Sequence, residues 1–300
     1  MTTADLGTTT TAALTPATAA VLDRYAHTTG SSARVLLTTI FGDALLPRAQ
    51  AAPVGALIDL AAPLGINDRN VRTTLQRLSA ERLVTAERIG RRSFYQVHPD
   101  AVSTFVAANR RIYERPLLAW DGEWTVAVLG ADADDEARAE LHRRLGWLGL
   151  APAAPGVLAS ALVTPDEVTE AVADGPGLGG VLALTRGPVT AGTLLDDDGR
   201  RRFFDPDGQL DERYRTHLDT FAPASAPDRL VDAAPVDAFV LRTLVVDSWR
   251  RLALRATDIP AELEPDGWRA EAAFEQTATM LAALRPASEA HLDRVLATEG

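Results

Sequence analysis

Between residues 31 and 98 the chain is punctuated so regularly by helix-breaking residues that it has room for three short helices and one hairpin. Pro47, Pro53, Pro63, Gly65 and Gly90 fall at the gaps. Proline inside a helix removes an amide donor and crowds the preceding turn, so helices stop before it or start at it. Ser31 or Ser32 can cap a first helix with Val35, Leu36, Ile40 and Leu45 on one side, stopped by Pro47. Pro53 suits the first turn of a second helix bearing Leu57, Ile58 and Leu60. Pro63 and Gly65 end it in a tight turn, and Asn67 or Asp68 caps a third helix running to about Arg82. Residues 83–89 and 93–98 then read as two strands reversing around Gly90. The order predicts a winged helix-turn-helix.

The third helix carries a chemical signature. With Val71 at the centre of a buried face, Leu75 and Leu78 fall within about 40° of it at 100° per residue. The opposite face presents Arg69, Thr73 and Gln76, flanked by Arg72 and Arg77. These side chains suit base edges and phosphates in a major groove. The hairpin tip adds Arg88, Arg91 and Arg92, placed to meet a DNA backbone or minor groove. Charge follows the same division. Residues 31–98 hold nine arginines against five carboxylates, whereas the whole chain carries a net charge of -11. An acidic body with one basic segment is expected to meet nucleic acid at that segment, although a solvated face or a dimer scaffold would carry similar charge.

Composition excludes several chemistries. Cysteine is absent, so there is no disulfide framework and no thiolate nucleophile or metal ligand. Every one of the 30 basic residues is arginine, which removes Schiff-base and phosphate-loop lysine chemistry. His27, His98, His142, His217 and His291 are scattered, with no pair at i, i+4 spacing. No signal peptide or membrane-spanning run is evident, and a cytoplasmic location is expected.

The expected fold class is multidomain α+β. Residues 1–30, rich in Thr and Ala, read as a disordered leader with some helix near 19–25. The winged helix occupies 31–98 and a linker helix 99–120. A central α+β domain of ferredoxin-like type spans 121–195, from the order strand 124–129, helix 134–147, strand 157–162, helix 165–173, strand 181–184. Residues 196–300 form a linker and an all-helical domain, with helices at 236–256, 268–284 and 288–298. Leu241, Leu244, Val245, Trp249 and Leu252 make a broad apolar pattern suited to both a core and a partner, and a homodimer on an inverted repeat is expected.

Six blocks carry a family resemblance. SARVLLTTIFGDALLPR (32–48), LAAPLGINDRNVRTTLQRL (60–78) and RIGRRSFYQV (88–97) resemble the PaaX-like regulators, the phenylacetate-operon repressor family. The likeness continues through RRIYERPLLAWDGEWTVAVLG (110–130), LHRRLGWLGLAPAAPGV (141–157) and WRRLALRATDIPAELEPDGW (249–268). The Thr/Ala-rich leader departs from the usual pattern, as does the sequence from Ala256 to Pro260. The resemblance implies a winged helix that binds operator DNA. It also implies a central domain like the ferredoxin-like CRISPR-associated nuclease fold, and a helical C-terminal domain. It further implies repression of aromatic-acid catabolic genes, released by an acyl-coenzyme A effector such as phenylacetyl-CoA, without a resident cofactor.

An acyl-CoA carries several phosphate charges, so its site needs arginine. Arg143 and Arg144 with Trp147 are the favoured cluster. Arg200 to Arg202 with Phe203 and Phe204, and Arg250 and Arg251 with Trp249, are alternatives. By default, Trp120, Trp124, Trp147, Trp249 and Trp268 read as core or interface residues. The run from Gly175 to Gly180 satisfies GxGxxG but leads into a strand, so it reads as a turn and not a dinucleotide site. The acidic runs 132–136 and 196–198 read as a helix start and a solvated loop. The first central strand ends in Leu129, Gly130 and Ala131, with Asp132 slightly late for a nuclease metal ligand. No metal site or catalysis is therefore expected, the alternative being a nuclease-like or other enzyme module with an accessory winged helix.

Overall fold

In a computed structural model the protein is described at residues 14–30, 32–114, 119–130, 135–173, 181–226, 230–254 and 259–298. Asp132, the glycine run 175–180, residues 1–13 of the leader and Ala256 to Asp258 lie outside these. The described residues form a mixed α and β fold with two antiparallel sheets. The chain makes two compact units, Met1–Arg115 with Tyr214–Leu254 and Ala270–Gly300, and Pro116–Arg213 with Arg255–Arg269.

The first unit begins inside the expected leader. Helix α1 (Pro16–Thr28) is capped by Thr15 and buries Val21 and Tyr25, each 1% exposed. Burying such side chains stabilises by about 1.5–3 kcal/mol each, which a low-complexity composition conceals. The Tyr25 hydroxyl also donates to Asp247. Helix α2 (Ala33–Thr39), capped by Ser32, passes into a buried π-helical turn (Ile40–Leu45) and a 3-10 turn (Leu46–Arg48). The π turn was not legible as such, since its apolar spacing also fits an α-helix. It brings Gly42 against Phe105 and turns Asp43 toward Tyr113 and Arg242.

A two-residue strand β1 (Ala52–Pro53) then leads into α3 (Val54–Ala61) and α4 (Asp68–Ala80). Strands β2 (Val84–Ile89) and β3 (Arg92–Val97) follow, and the sheet order is β1-β3-β2. Sequence reading placed Pro53 in a helix and so missed β1, which pairs with Phe94 and Tyr95. Helix α5 (Pro99–Tyr113) closes this stretch, capped by His98.

The second unit follows the chain order β4 (Trp124–Leu129), α6 (Asp135–Leu148), β5 (Ala151–Ala154), β6 (Val157–Ser160), α7 (Pro165–Ala173), β7 (Val181–Gly187). Its sheet runs β5-β6-β4-β7, antiparallel throughout. Strand β5 was not expected because Pro152 and its alanines give no strand signal. Alternation along β4 serves two cores. Ala127 and Leu129 pack with Leu141, Leu145, Val168 and Val172 of α6 and α7. Trp124 and Val126 belong to a second cluster with Phe203 and Phe204 of α8 (Asp197–Phe204). The stretch expected as linker is thus largely helical.

Helix α9 (Gln209–Phe221) contains the division between the units, and α10 (Pro235–Ala253) and α11 (Ala270–Thr298) complete the first. Helix α10 is buried continuously from Val236 to Trp249. This corrects the expected partner surface. Leu241, Leu244, Val245, Trp249 and Leu252 are at most 6% exposed within the single chain, because α1, α2, α5 and α11 all pack on α10. The two expected terminal helices are likewise one. Pro286 sits inside α11, and a buried line through Leu281, Leu284, Ser288 and Leu292 offsets the lost backbone bond.

Candidate nucleic-acid interface

Local chemistry sets the direction of α4. Gly65 adopts φ +79°, the left-handed conformation that glycine takes without a Cβ penalty, and the Ile66 amide donates to Ala61 O at 3.2 Å. Asn67 caps α4 by accepting the Asn70 amide at 2.9 Å. Ile66 and Val71 are both buried at the two positions of a hydrophobic staple. Val71, Leu75 and Leu78 are 0% exposed, as the helical wheel places them.

The opposite face is open. Arg69, Arg72, Thr73, Gln76 and Arg77 are all exposed. Arg72 is held by Asp68 one turn earlier, with both side chains about half exposed. Thr73 gives its hydroxyl proton to Arg69 O at 2.9 Å, leaving an oxygen that can accept. Among the described residues, no carboxylate forms an ion pair with Arg69, Arg77 or Arg91. At the C-terminal end of α4 a hydrogen bond from Arg34 holds the Glu81 carboxyl below its ordinary range. The Arg77 charge acts on the same carboxyl more weakly, without an ion pair.

The hairpin projects a second basic group. Ile89 pairs with Arg92 across a two-residue turn whose first residue, Gly90, has φ +63°. Arg88, Arg91 and Arg92 are exposed there. Sequence reasoning missed two neighbours. Asn70 is exposed on the flank of α4 opposite Arg72, and asparagine can bond adenine bidentately. Ile89 is 57% exposed at the hairpin tip, an apolar side chain between arginines. The wheel angle of Asn70 could have found the first, and the hairpin pattern the second.

The effector clusters fare differently. Arg143 and Arg144 both pair with Glu140, and Arg144 also donates to Ala171 O. Trp147 on the same helix is 86% exposed, which leaves the interface alternative of its default reading and excludes the core one. Of the alternatives, Phe203 and Phe204 pack on Trp124, and Arg200 and Arg201 pair with Asp197. Trp249 is 6% exposed, and Arg250 and Arg251 both bind the fully buried Asp247. These two clusters hold the fold together.

Comparison with known proteins covers most of the chain. Residues 32–99 match the family described as PaaX-like protein, and residues 206–294 match the PaaX-like protein C-terminal domain. The Transcriptional repressor PaaX of Escherichia coli (strain K12) is 28% identical over 261 residues, covering 84% of this chain and 80% of that protein. Among solved structures, Uncharacterized protein Rv0674 from Mycobacterium tuberculosis superposes with a TM-score of 0.56 at 20% identity. It covers 90% of this chain and 99% of the other, which bears on the fold alone.

Proposed function

The chain belongs to the PaaX-like family, and from that premise we propose that it is a DNA-binding transcriptional repressor of phenylacetate-type catabolic genes. The single observation that carries the reading is the exposed basic face of α4 within the matched segment 32–99. We assign α2 to β3 as a winged helix-turn-helix, supported by the succession α3, Gly65 turn, α4 and hairpin with a short third strand. Helix α4 is its recognition helix. Arg69, Arg72, Thr73, Gln76 and Arg77 read the major groove, and Arg88, Arg91 and Arg92 meet phosphates or the minor groove. Arg72 exchanges Asp68 for DNA, an inexpensive step for an exposed pair.

The second unit is read as ferredoxin-like, because β4, α6, β5, β6, α7 and β7 give βαββαβ with β4 between β6 and β7. The DNA-reading segment is taken as 31–98 and the central domain as starting at 121, while α8, which packs on β4, extends that domain past the expected division at 195. The protein acts in the cytoplasm by binding and not by catalysis; among the described residues no helix is long and apolar enough to cross a membrane. It binds an inverted repeat as a homodimer, since one winged helix contacts few base pairs. An acyl-CoA, phenylacetyl-CoA by family likeness, releases it. Its phosphates are assigned to Arg143 and Arg144 and its adenine to the exposed face of Trp147.

The test is a gel shift with the DNA upstream of the protein's own gene, with and without acyl-CoA esters. A specific shift weakened by an ester supports the reading. No shift at micromolar protein and low salt would end it. Light scattering showing only a 32 kDa species with and without DNA would remove the dimer.

A further inference from the structure

The reversal at Gly90 leaves a large apolar side chain in water. Ile89 is 57% exposed at the end of β2, and it pairs with Arg92 across the two-residue turn. Residues directly opposite in a ladder share a face. Ile89 and Arg92 therefore point to one side of the ribbon, and Arg88 with Ser93 to the other. Arg91 occupies the turn itself, so the tip from Arg88 to Arg92 holds three arginines and no carboxylate. Arg88 Nε donates to Gly90 O at 3.4 Å, a long bond within the tip. Glu87 shares the face of Ile89 but sits two residues back, about 7 Å along the strand. The ladder needs a β-branched residue at position 89 but not an apolar one, since threonine would serve it as well.

These dimensions suit one part of a duplex. The minor groove is about 6 Å wide and 7.5 Å deep. It admits side chains but not a two-stranded ribbon, whose backbones alone lie about 4.8 Å apart. Entry beyond the tip would also carry Glu87 to the phosphate rim. On the groove floor A·T and T·A pairs present only acceptors, whereas a G·C pair adds the guanine 2-amino donor. Arginine supplies donors for those acceptors, and a narrow A·T-rich groove has the more negative potential that attracts it. Isoleucine offers no acceptor. A guanine amino group pressed against it loses water and gains no hydrogen bond in return.

We propose that Ile89 is a specificity-determining residue, which lies on the minor-groove floor between the wing arginines and rejects G·C pairs by excluding the guanine 2-amino group. The assignment rests on the repressor reading and deepens it, because the arginines alone would hold the phosphates of any sequence. The rejected pairs lie about half a helical turn, roughly 5 base pairs, from the major-groove contacts of α4. Three arginines around one isoleucine complement a polyanion and not an apolar protein surface.

The experiment uses the full chain and an operator duplex in which hydroxyl-radical footprinting has located the minor groove covered by the hairpin. That stretch is made of A·T, G·C or inosine·C pairs, and affinity is read by fluorescence anisotropy. Inosine lacks the 2-amino group, so its pair with C keeps the major-groove pattern of G·C and has the minor-groove pattern of A·T. The parent should bind the A·T and inosine·C duplexes alike and the G·C duplex about fivefold more weakly or worse. Valine and threonine have nearly the same shape, and only threonine can accept from the amino group. Ile89→Val should therefore keep the discrimination and Ile89→Thr should reduce it to less than about twofold. The assignment is overturned if the parent binds all three duplexes equally, or if inosine·C is as weak as G·C. It is also overturned if Ile89→Thr discriminates as the parent does. The inosine series needs no variant, so it decides even if a substitution disturbs the hairpin. Binding that ignores the minor-groove pattern removes this assignment alone, whereas no binding to any duplex ends the repressor reading with it.

Discussion

Arg242 of α10 places its guanidinium on the carboxylate of Asp43 in the π-helical turn, at 2.9 Å, with 7% and 6% of their side chains exposed. Burial alone would lower the Arg242 pKa. Its closeness to Asp43 and the hydrogen bonds to Asp43 and Glu289 more than reverse this and hold it above the ordinary arginine value. Tyr113 shares the same carboxylate, and burial first, then the Asp43 charge, raises its pKa. Asp43 thus ties the N-terminal helices to α5 and α10.

Removing Arg242 leaves the buried Asp43 carboxylate with Tyr113 alone, whereas removing Asp43 leaves Arg242 on Glu289. We predict that Arg242→Met lowers unfolding stability by about 3–5 kcal/mol, that Asp43→Asn costs less, and that the double variant loses clearly less than the sum. Urea denaturation of the four proteins measures the coupling. Additive losses would show that the pair does not act as one unit.

Stability should fall on mild acidification because of a buried histidine. Thr277 gives its hydroxyl proton to Ala273 O, so His217 Nε2 must donate to Thr277 at 2.9 Å while Nδ1 accepts from Ser248 at 2.8 Å. This neutral ring is buried, and burial lowers its pKa from 6.5 to about 4. Between those values the unfolded chain takes up a proton that the folded chain refuses. The contribution is therefore complete above pH 6.5 and fades as pH falls toward 4, by about 3 kcal/mol at most. A denaturation series over that range should slope more steeply for the parent than for His217→Gln. Equal slopes would place the effect elsewhere, His291 being the next group, its pKa lowered to about 4 by burial and then by Arg294.

Gly42 is a steric requirement. A Cβ there would meet the Phe105 ring at 2.9 Å, and the same backbone carbonyl accepts from Asn109. We predict that Gly42→Ala costs about 1–3 kcal/mol by overpacking. Phe105→Leu in the same chain should restore part of it. No loss in thermal unfolding would mean that α5 yields freely at this contact.

What could be read in the sequence was whatever depends on neighbours a few residues away. The Asn67 cap, the Val71, Leu75 and Leu78 stripe, the Gly90 reversal and the exposed arginine face all follow from local spacing. The features that escaped depend on distant partners. Helix α1 is held by Tyr25 reaching Asp247, more than two hundred residues away, and the π turn by Phe105 and Arg242. Strand β1 exists only because Tyr95 and Phe94 are there to pair with it. The apolar girdle of α10 was visible, but whether its own chain or a second copy covers it was not.

Helix α4 and the hairpin are the proposed DNA reader, and fluorescence anisotropy on an operator duplex and a scrambled duplex at several salt concentrations tests that assignment. Arg69→Ala should cost about 1–3 kcal/mol on the operator and little on the scrambled duplex. Arg91→Ala should weaken both alike and reduce the salt slope by about one. If the double variant Arg69→Ala/Arg91→Ala binds the operator with the parent's affinity and salt slope, DNA is read by another surface.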